Sequence, residues 1–548
     1  MSSEKVESQP VKSVDLDSIL IEEAGQFGRS QIITILLASI PVIFAAFASG
    51  EYVFTTARIP TRCSIPQCDD PNPEFRPSWI LNAIPGTSNT DFDNCLRYAN
   101  SSVISDARNI CPAYWFDRNR TEECQSYIYE NTNSVVYDFD LACNEWKRSL
   151  IGSIRTVGTL LVLPFTGYIS DRWGRRVALA INAFNTAWLG LVRSFVHSYE
   201  WFTALEIIEA TLGAGGFSCC YILVTELVGP KYRVRAGVTM STMYAVGLVI
   251  LGFISWGIQP WRTLTQVLYA PQLLTLSYFW IMTESVRWLL SKGKYEEAEA
   301  VLKKVAKTNK REISPTSMEN LRAATQEKEL NENAKEPWLL ITILKSRVML
   351  SRVLVSPIWW VTNTLIYFGM SINAVNLSGN PYLNYIAVAA VEIPGFWTAI
   401  LLLDRIGRKP VLIGGYWICA ACQFTFAFLP EGNENLSLAL YLIGKYCISM
   451  VTTSTYIYTT EIYPTKYRHS LLAFSSMIGR LGSILAPLTP ALALEVWESL
   501  PSVLFGSFAI LSGLLIFTTP ETLGITLPDT IEEAERLSSR SLNSRVIL

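Results

Sequence analysis

Six charged side chains stand out within apolar runs long enough to cross a bilayer. Arg480 stands in "SSMIGRLGSILAP" (475–487), Lys445 in "LIGKYC" and Glu392 in "AAVEIPG". Glu206 and Glu209 stand in "TALEIIEATLG", and Arg155 in "SIRTVG". A guanidinium at the centre of a membrane helix costs roughly 2.5–3.5 kcal/mol on insertion scales, so each such charge marks a ligand or an internal partner. Arginine recognises carboxylates through paired hydrogen bonds. That chemistry assigns Arg480 to the anionic end of a substrate, or to an internal carboxylate such as Glu392. Glu206 and Glu209 are three apart and share a helix face; with Glu392 they would hold a cationic end. Lys445 joins this candidate set, while Arg155, near the outer end of its run, is expected to snorkel. Trp360 and Tyr367 are seven apart, two turns along one face, and Phe217, Tyr221 and Tyr456 add aromatic surface. Aromatic faces attract quaternary ammonium groups by about 0.5–2 kcal/mol each. The set as a whole suits an amphoteric small molecule.

Catalysis has no candidate residues here, because no nucleophile is matched with a base. The two histidines, His197 and His469, are far apart, so no metal site is expected. Without a nucleotide-binding motif, the energy source is expected to be a gradient of substrate or of a coupling ion, sodium or proton, with no cofactor.

These residues need a membrane scaffold to position them. The chain has 548 residues, is 50% apolar and only 17% charged, and its net charge of −2 gives no reason to expect a nucleic-acid partner. Runs of about 20 apolar residues, the length of a membrane helix, recur at 31–53, 149–170, 177–196, 201–224, 236–256, 262–282, 348–371, 380–403, 410–429, 436–458, 470–494 and 501–519. They number twelve, in two groups of six. The basic loops after the second, fourth, eighth and tenth spans carry Arg172, Arg175, Arg176, Lys231, Arg233, Arg235, Arg405, Arg408, Lys409, Lys466 and Arg468. All fall on one side, which the positive-inside rule makes cytoplasmic, together with both termini.

The long loop at 53–147 lies on the other side and holds Cys63, Cys68, Cys95, Cys111, Cys124 and Cys143. Six cysteines in a non-cytoplasmic loop read as three disulfides, with fifteen possible pairings. The same loop carries glycosylation sequons at Asn100 and Asn119. Cys419 and Cys422 share one face of the ninth span and are expected to pack there. The segment "MSSEKVESQPVKSVDLDSIL" is polar and is expected to lack fixed structure.

The chain repeats itself. "DRWGRR" (171–176) recurs as "DRIGRK" (404–409), and "TELVGPKYR" (225–233) as "TEIYPTKYR" (460–468), at offsets of 233 and 235. Parallel repeats of this kind build carriers that rock two halves around a central site. Gly167, one turn before Asp171, would let a neighbouring helix approach closely. Asp171 and Asp404 would accept from helix N-termini across the bundle and, with Arg172, Arg175, Arg176, Arg405 and Arg408, latch the cytoplasmic gate. Glu226 and Arg233, with Glu461 and Arg468, would form a second pair of clamps.

"GYISDRWGRR" resembles the loop signature of the major facilitator superfamily, although Ile400 replaces the glycine in the second copy. "GQFGRSQ" (25–31), "TESVRWLLSKGKYEEAEAVLKKVAK" (283–307), "TEIYPTKYRHS" (460–470) and "PETLGITLPDT" (520–530) resemble the organic ion transporter family, which includes organic cation, carnitine/zwitterion and organic anion carriers. "YFGMSINAVNLSGN" (367–380) and "GRLGSILAP" (479–487) resemble its carnitine/zwitterion branch. The resemblance implies an all-α membrane protein with twelve helices in two parallel six-helix repeats, a disulfide-rich extracellular loop and a helical cytoplasmic insert. It also implies that Trp360 and Tyr367 line the substrate cavity. Arginine at position 480 is shared with anion carriers, whereas polyspecific cation carriers have aspartate there.

The expected organisation is a cytoplasmic N-terminus (1–30), a first bundle (31–283), a cytoplasmic helical linker (284–347), a second bundle (348–519) and a cytoplasmic tail (520–548). The expected function is secondary transport of organic cations or carnitine- and betaine-like zwitterions across the plasma membrane, with a monomer sufficient. Organic anion exchange and a non-transporting sensor on the same fold are the alternatives. Gating motifs kept in both halves favour transport.

Overall fold

The computed structural model describes residues 16–101, 111–331, 343, 345–430, 432–465, 467–524, 528 and 531–535. The expectations for residues 1–15, for Lys466, for 332–342 of the linker and for the tail after 535 lie outside the described residues.

Among the described residues, twelve helical segments cross the molecule. The first half contains α1 (Arg29–Thr55), α2 (Glu145–Trp173), α3 (Arg175–Arg193), α4 (Tyr199–Gly213, resumed at Gly216–Leu227), α5 (Arg233–Gly257) and α6 (Trp261–Tyr269, extended through Pro271–Ser277 to Tyr278–Ile281). The second half contains α7 (Arg347–Asn373), α8 (Pro381–Ile406), α9 (Arg408–Ala427), α10 (Glu434–Ile462), α11 (Arg468–Leu485, extended through Ala486–Leu488 to Thr489–Glu495) and α12 (Leu500–Ile516). Among the described residues, nine spans are long and apolar enough to cross a membrane unaided.

Local chemistry sets where the helices start and bend. The Asn144 side chain accepts from the Lys147 N–H, Ser346 from Met349, and Asn380 from Tyr382 and Leu383 ahead of Pro381. Pro271, Pro487 and Pro490 lack the N–H that a straight helix needs, so α6 and α11 continue through tight 3-10 turns. The repeated motif glycines, Gly174 and Gly407, adopt φ of +107° and +110°. A side chain is strained there, so each glycine ends one helix and redirects the chain into the next.

The halves meet along α2 with α11 and along α5 with α8. They are sealed on the disulfide-bearing side. The Ser153 hydroxyl donates to the Ile484 carbonyl at 2.9 Å, and Phe54 stacks on Tyr382 with 5.6 Å between ring centroids. On the basic side the Asp171 and Asp404 side chains are 76% and 74% exposed. The motif carboxylates on the basic face are therefore left to solvent.

The long loop between α1 and α2 is more ordered than a bare disulfide loop. Three two-stranded antiparallel sheets form in it, pairing Thr61–Cys63 with Tyr127–Tyr129, Gly86–Ser88 with Asp91–Phe92, and Leu96–Asn100 with Phe116–Glu123. The disulfides are Cys63–Cys124, Cys68–Cys111 and Cys95–Cys143. Asn100 and Asn119 are exposed. Cys419 and Cys422 are buried free thiols in α9.

One expectation is overturned at the N-terminus. Residues Leu16–Ile19 and Leu20–Ala24 are helical, and Leu16, Ile19, Leu20 and Ala24 are buried against Trp288, Leu289, Leu302 and Val305 of the linker. The polar composition of residues 1–20 conceals this short apolar stripe. Asp17 pairs with Arg233 at 2.5 Å and with Arg287.

Non-reducing peptide mapping is expected to recover the three cross-links above; a Cys63–Cys68 peptide would contradict the arrangement. Replacing Cys95 and Cys143 by serine is expected to cost about 2–5 kcal/mol of loop stability, read as a lower thermal transition.

Candidate functional site

Each half buries its charges in a closed polar cluster. In the first half Arg155 of α2 pairs with Glu206 and, at 3.1 Å, with Glu209 of α4. Arg193 of α3 pairs with Glu51 of α1 at 2.7 Å, with Glu206, and with Glu209 at 3.5 Å. The Tyr269 hydroxyl of α6 donates to Glu209 at 3.0 Å, and the Thr265 hydroxyl to Glu51 at 2.5 Å. Five helices are thus tied at one level. Arg155 does not snorkel: it is buried and donates to the Ala48 carbonyl at 2.5 Å. Glu206 and Glu209, expected to meet a cationic substrate, are consumed by these two arginines.

The second half repeats the device with the signs reversed. Lys445 of α10 pairs with Glu392 of α8 at 2.9 Å and donates to the Tyr367 carbonyl at 2.8 Å and the Ser371 hydroxyl at 2.7 Å. Its ammonium also sits 3.7 Å from the Tyr367 ring centroid, while the Tyr367 hydroxyl donates to Glu392 at 2.6 Å. Tyr367, Glu392 and Lys445 therefore satisfy one another inside the second bundle. In this conformation they do not present free groups to a ligand, because an unpaired charge there would carry the full desolvation penalty.

Arg480 is different. No carboxylate among the described residues pairs with it, Glu392 included, since Glu392 is already held by Lys445. Two close approaches place it. A Cβ on Gly479 would lie 2.9 Å from the Trp360 Cβ, and one on Gly482 would run into the Val361 carbonyl. The "GRLG" stretch thus lets α11 lie directly on α7 around Trp360, with Arg480 between the two contacts. Trp360 is itself buried; its indole N–H donates to Thr459 at 3.1 Å, and its ring meets Tyr456 edge-on at 4.5 Å. Tyr456, 49% exposed, carries the open aromatic surface here and lies within electrostatic reach of Arg480 and of Tyr221 on α4. Phe217 packs between Tyr221 and Tyr244, at 6.1 and 5.4 Å. Among the described residues, the Arg480 guanidinium thus has aromatic faces and no paired carboxylate beside it.

The gating residues show a mirrored wiring. Arg175 reaches Glu226 at 3.7 Å, and Arg408 reaches Glu461 at 2.9 Å. The Ser285 hydroxyl donates to Glu226 and the Thr522 hydroxyl to Glu461, the latter at 2.5 Å. The clamps therefore join the two repeated motifs, while Arg233 turns to Asp17 and Arg468 donates to Thr465 at 3.0 Å. The N-termini of α3 and α9 are capped by Glu284 and Glu521, not by Asp171 and Asp404. Glu284 accepts from the N–H groups of Arg175 and Arg176 at 2.8 and 3.2 Å, and Glu521 from those of Arg408 and Lys409 at 2.9 and 3.0 Å. Burial holds the Glu284 carboxyl above its ordinary range, and the N–H groups of Ser285, Arg175 and Arg176 offset part of that rise.

Asp171 and Asp404 pair across the motif glycine with Arg175 and Arg408, the first residues of the following helices, at 2.9 and 3.3 Å. Arg172 donates to Tyr168 at 2.8 Å, Arg176 lies 5.4 Å from the Phe279 ring centroid, and Arg405 is exposed. A side chain on Gly167 would meet nothing within 4 Å, so the close helix approach expected there is absent in this conformation. Glu51, Arg193, Glu284 and Glu521 were not singled out from the sequence. The first two stand among apolar residues near span ends, and the last two were quoted only as parts of family signatures.

Residues 113–534 match the family described as "Sugar (and other) transporter". The "Organic cation transporter protein" of Drosophila melanogaster is 31% identical over 534 residues, 95% of each chain. "Solute carrier family 22 member 16" of Xenopus laevis is 32% identical over 435 residues, covering 78% of this chain and 76% of that one. "Solute carrier family 22 member 3" of Mus musculus is 28% identical over 540 residues, covering 95% and 96%. Among solved structures, the inward-open conformation of the xylose transporter XylE from E. coli aligns with a TM-score of 0.61 at 17% identity, covering 92% of this chain and 99% of that one. At that identity the likeness is one of fold, that of the major facilitator superfamily.

Lys445→Met should strand Glu392 in the second bundle and lower stability by about 3–5 kcal/mol. Adding Glu392→Gln should recover most of that loss in a thermal-shift measurement in detergent. A double variant no more stable than the single would contradict the pairing.

Proposed function

The chain belongs to the sugar (and other) transporter family of the major facilitator superfamily, among organic ion transporters, and from that premise we propose that it carries small zwitterions bearing a carboxylate and a quaternary or substituted ammonium, of the carnitine and betaine type. One observation carries this reading. Glu51, Glu206, Glu209 and Glu392, the carboxylates deep in the described spans, are all neutralised by buried partners, whereas no carboxylate among the described residues pairs with Arg480. A free guanidinium between the halves supports recognition of an anionic group by paired charge-assisted hydrogen bonds. The neighbouring faces of Tyr456 and Tyr221 support recognition of the ammonium end without a carboxylate.

The carrier works by alternating access in the plasma membrane, with both termini cytoplasmic. In the state described, the substrate leaves or enters through the basic face. When the halves rock the other way, Asp171 and Asp404 come within reach of the opposite half and hold the cytoplasmic gate shut. Transport is driven by the gradient of the substrate or of a coupling ion. Organic anion exchange is the second reading, favoured by the same Arg480 if the aromatic faces serve only as apolar walls.

Uptake by cells expressing Arg480→Ala tests the choice. A charge-assisted hydrogen bond contributes about 1.5–3 kcal/mol, so uptake of a carnitine-like zwitterion is expected to fall roughly 10-fold or more at equal surface expression. Uptake of a simple tetraalkylammonium ion is expected to persist. Unchanged zwitterion uptake would remove Arg480 from the site, and parent uptake of simple dicarboxylates in place of zwitterions would favour anion exchange.

A further inference from the structure

Outside the transport path, an apolar groove of about 310 Å³ lies on the basic side of the bundle. Its floor and walls are Ile32, Ile35 and Leu36 from the first turns of α1, Ala236 and Thr239 from the first turns of α5, and Trp397 from α8. It opens toward lipid: the α1 side chains Ile32, Ile33, Leu36 and Ile40 form a continuous exposed apolar stripe, with Leu36 at 61%. At its mouth Phe27 stacks on Tyr232 at 5.1 Å, and the Arg235 guanidinium lies 5.8 Å from the Tyr232 ring centroid.

The rim is cationic. Arg233 is neutralised by Asp17, but no carboxylate among the described residues pairs with Arg235, or with Lys231 and Arg29 at the same level. An apolar slot one or two turns deep beneath an unpaired guanidinium has the shape and charge of a phospholipid: acyl chain below, phosphate at the mouth. Basic pockets between membrane helices on the cytoplasmic side take anionic headgroups, each cation contributing about 1 kcal/mol near the surface.

We propose that this groove holds an anionic phospholipid of the cytoplasmic leaflet, with one acyl chain between α1 and α5 and its phosphate on Arg235. The leaflet assignment rests on the orientation given above. Trp397 belongs to the other half and donates to Thr242 of α5 at 3.1 Å. The two ends of the groove therefore belong to bodies that move relative to each other, and its width changes as they rock. A lipid that fits one width better shifts the balance of states by the difference in its affinity for them.

The test is lipid retention, which does not depend on the identity of the transported substrate. The full-length protein is reconstituted with phosphatidylserine in an excess of phosphatidylcholine, then released and weighed by native mass spectrometry. The parent is expected to keep one phosphatidylserine. Arg235→Gln should lose it several-fold and Arg235→Lys should keep most of it. Thr239→Trp, which fills the groove and leaves the charge in place, should also lose it. Lys303→Gln, on a linker helix away from the groove, should retain it as the parent does. Equal retention by Arg235→Gln and the parent would overturn the headgroup site, and equal retention by Thr239→Trp would overturn the acyl groove.

Discussion

A charge inside a bilayer must be paired, hydrated or matched to a ligand, because the low-dielectric surroundings return nothing for a charge left alone. In this molecule the requirement gathers seven deep ionisable side chains into two ion-paired clusters. Glu51, Arg155, Arg193, Glu206 and Glu209 form one sealed cluster, and Glu392 with Lys445 forms another. Both tie the second helix of a half to its fourth: α2 to α4, and α8 to α10. The repeat explains the placement. At the offset of 233, Arg155 corresponds to Val388, one turn from Glu392, and at 235 Glu209 corresponds to Gly444, next to Lys445. The position of the tie is shared while its polarity is reversed. Each half is thereby tied together as a body, which suits the proposed rocking at the seam between halves.

The same division of labour operates on the basic face. Glu284 and Glu521 lie outside the bundles in sequence, yet each returns to cap the helix that follows a repeated motif. Helix N-termini favour negative charge, and Glu226 and Glu461 take the motif arginines. Asp171 and Asp404 are left as the motif carboxylates with most of their surface in water. They are available to the opposite half, whereas the other acids are committed within their own.

The architecture was legible because its signals are long-range in sequence: twenty-residue apolar runs, charge bias between loops and two repeated motifs. The cysteines declared a disulfide loop without declaring its pairing, since the bonded partners stand 61, 43 and 48 residues apart and no local pattern encodes which of them meet. The site was harder to read, for a physical reason. A charge in an apolar run looks the same whether it faces a ligand or an ion-pair partner 51 residues away, as Arg155 does with Glu206. Glu206, Glu209, Glu392, Lys445 and Tyr367 were therefore read as open, and the fold shows them closed. Arg193 and Glu51 went unnoticed because helix-end charges are common, and their importance lies in each other. The N-terminal stripe of Leu16, Ile19 and Leu20 was masked by its polar flanks.

Arg480 stands apart because its neighbours in sequence serve its exposure instead of its neutralisation. Gly479 and Gly482 bring the α11 backbone onto α7 at Trp360 and Val361. Trp360 fills the contact and presents Tyr456 edge-on, so the surroundings of the guanidinium are aromatic and not carboxylate. Desolvating an unpaired arginine is costly, and that cost is recovered when an anionic ligand supplies the missing partner. With the deep carboxylates Glu51, Glu206, Glu209 and Glu392 committed to structure, the proposed selectivity follows from subtraction as much as from contact: a purely cationic molecule would meet π faces, and one that also carries a carboxylate would gain Arg480 as a partner.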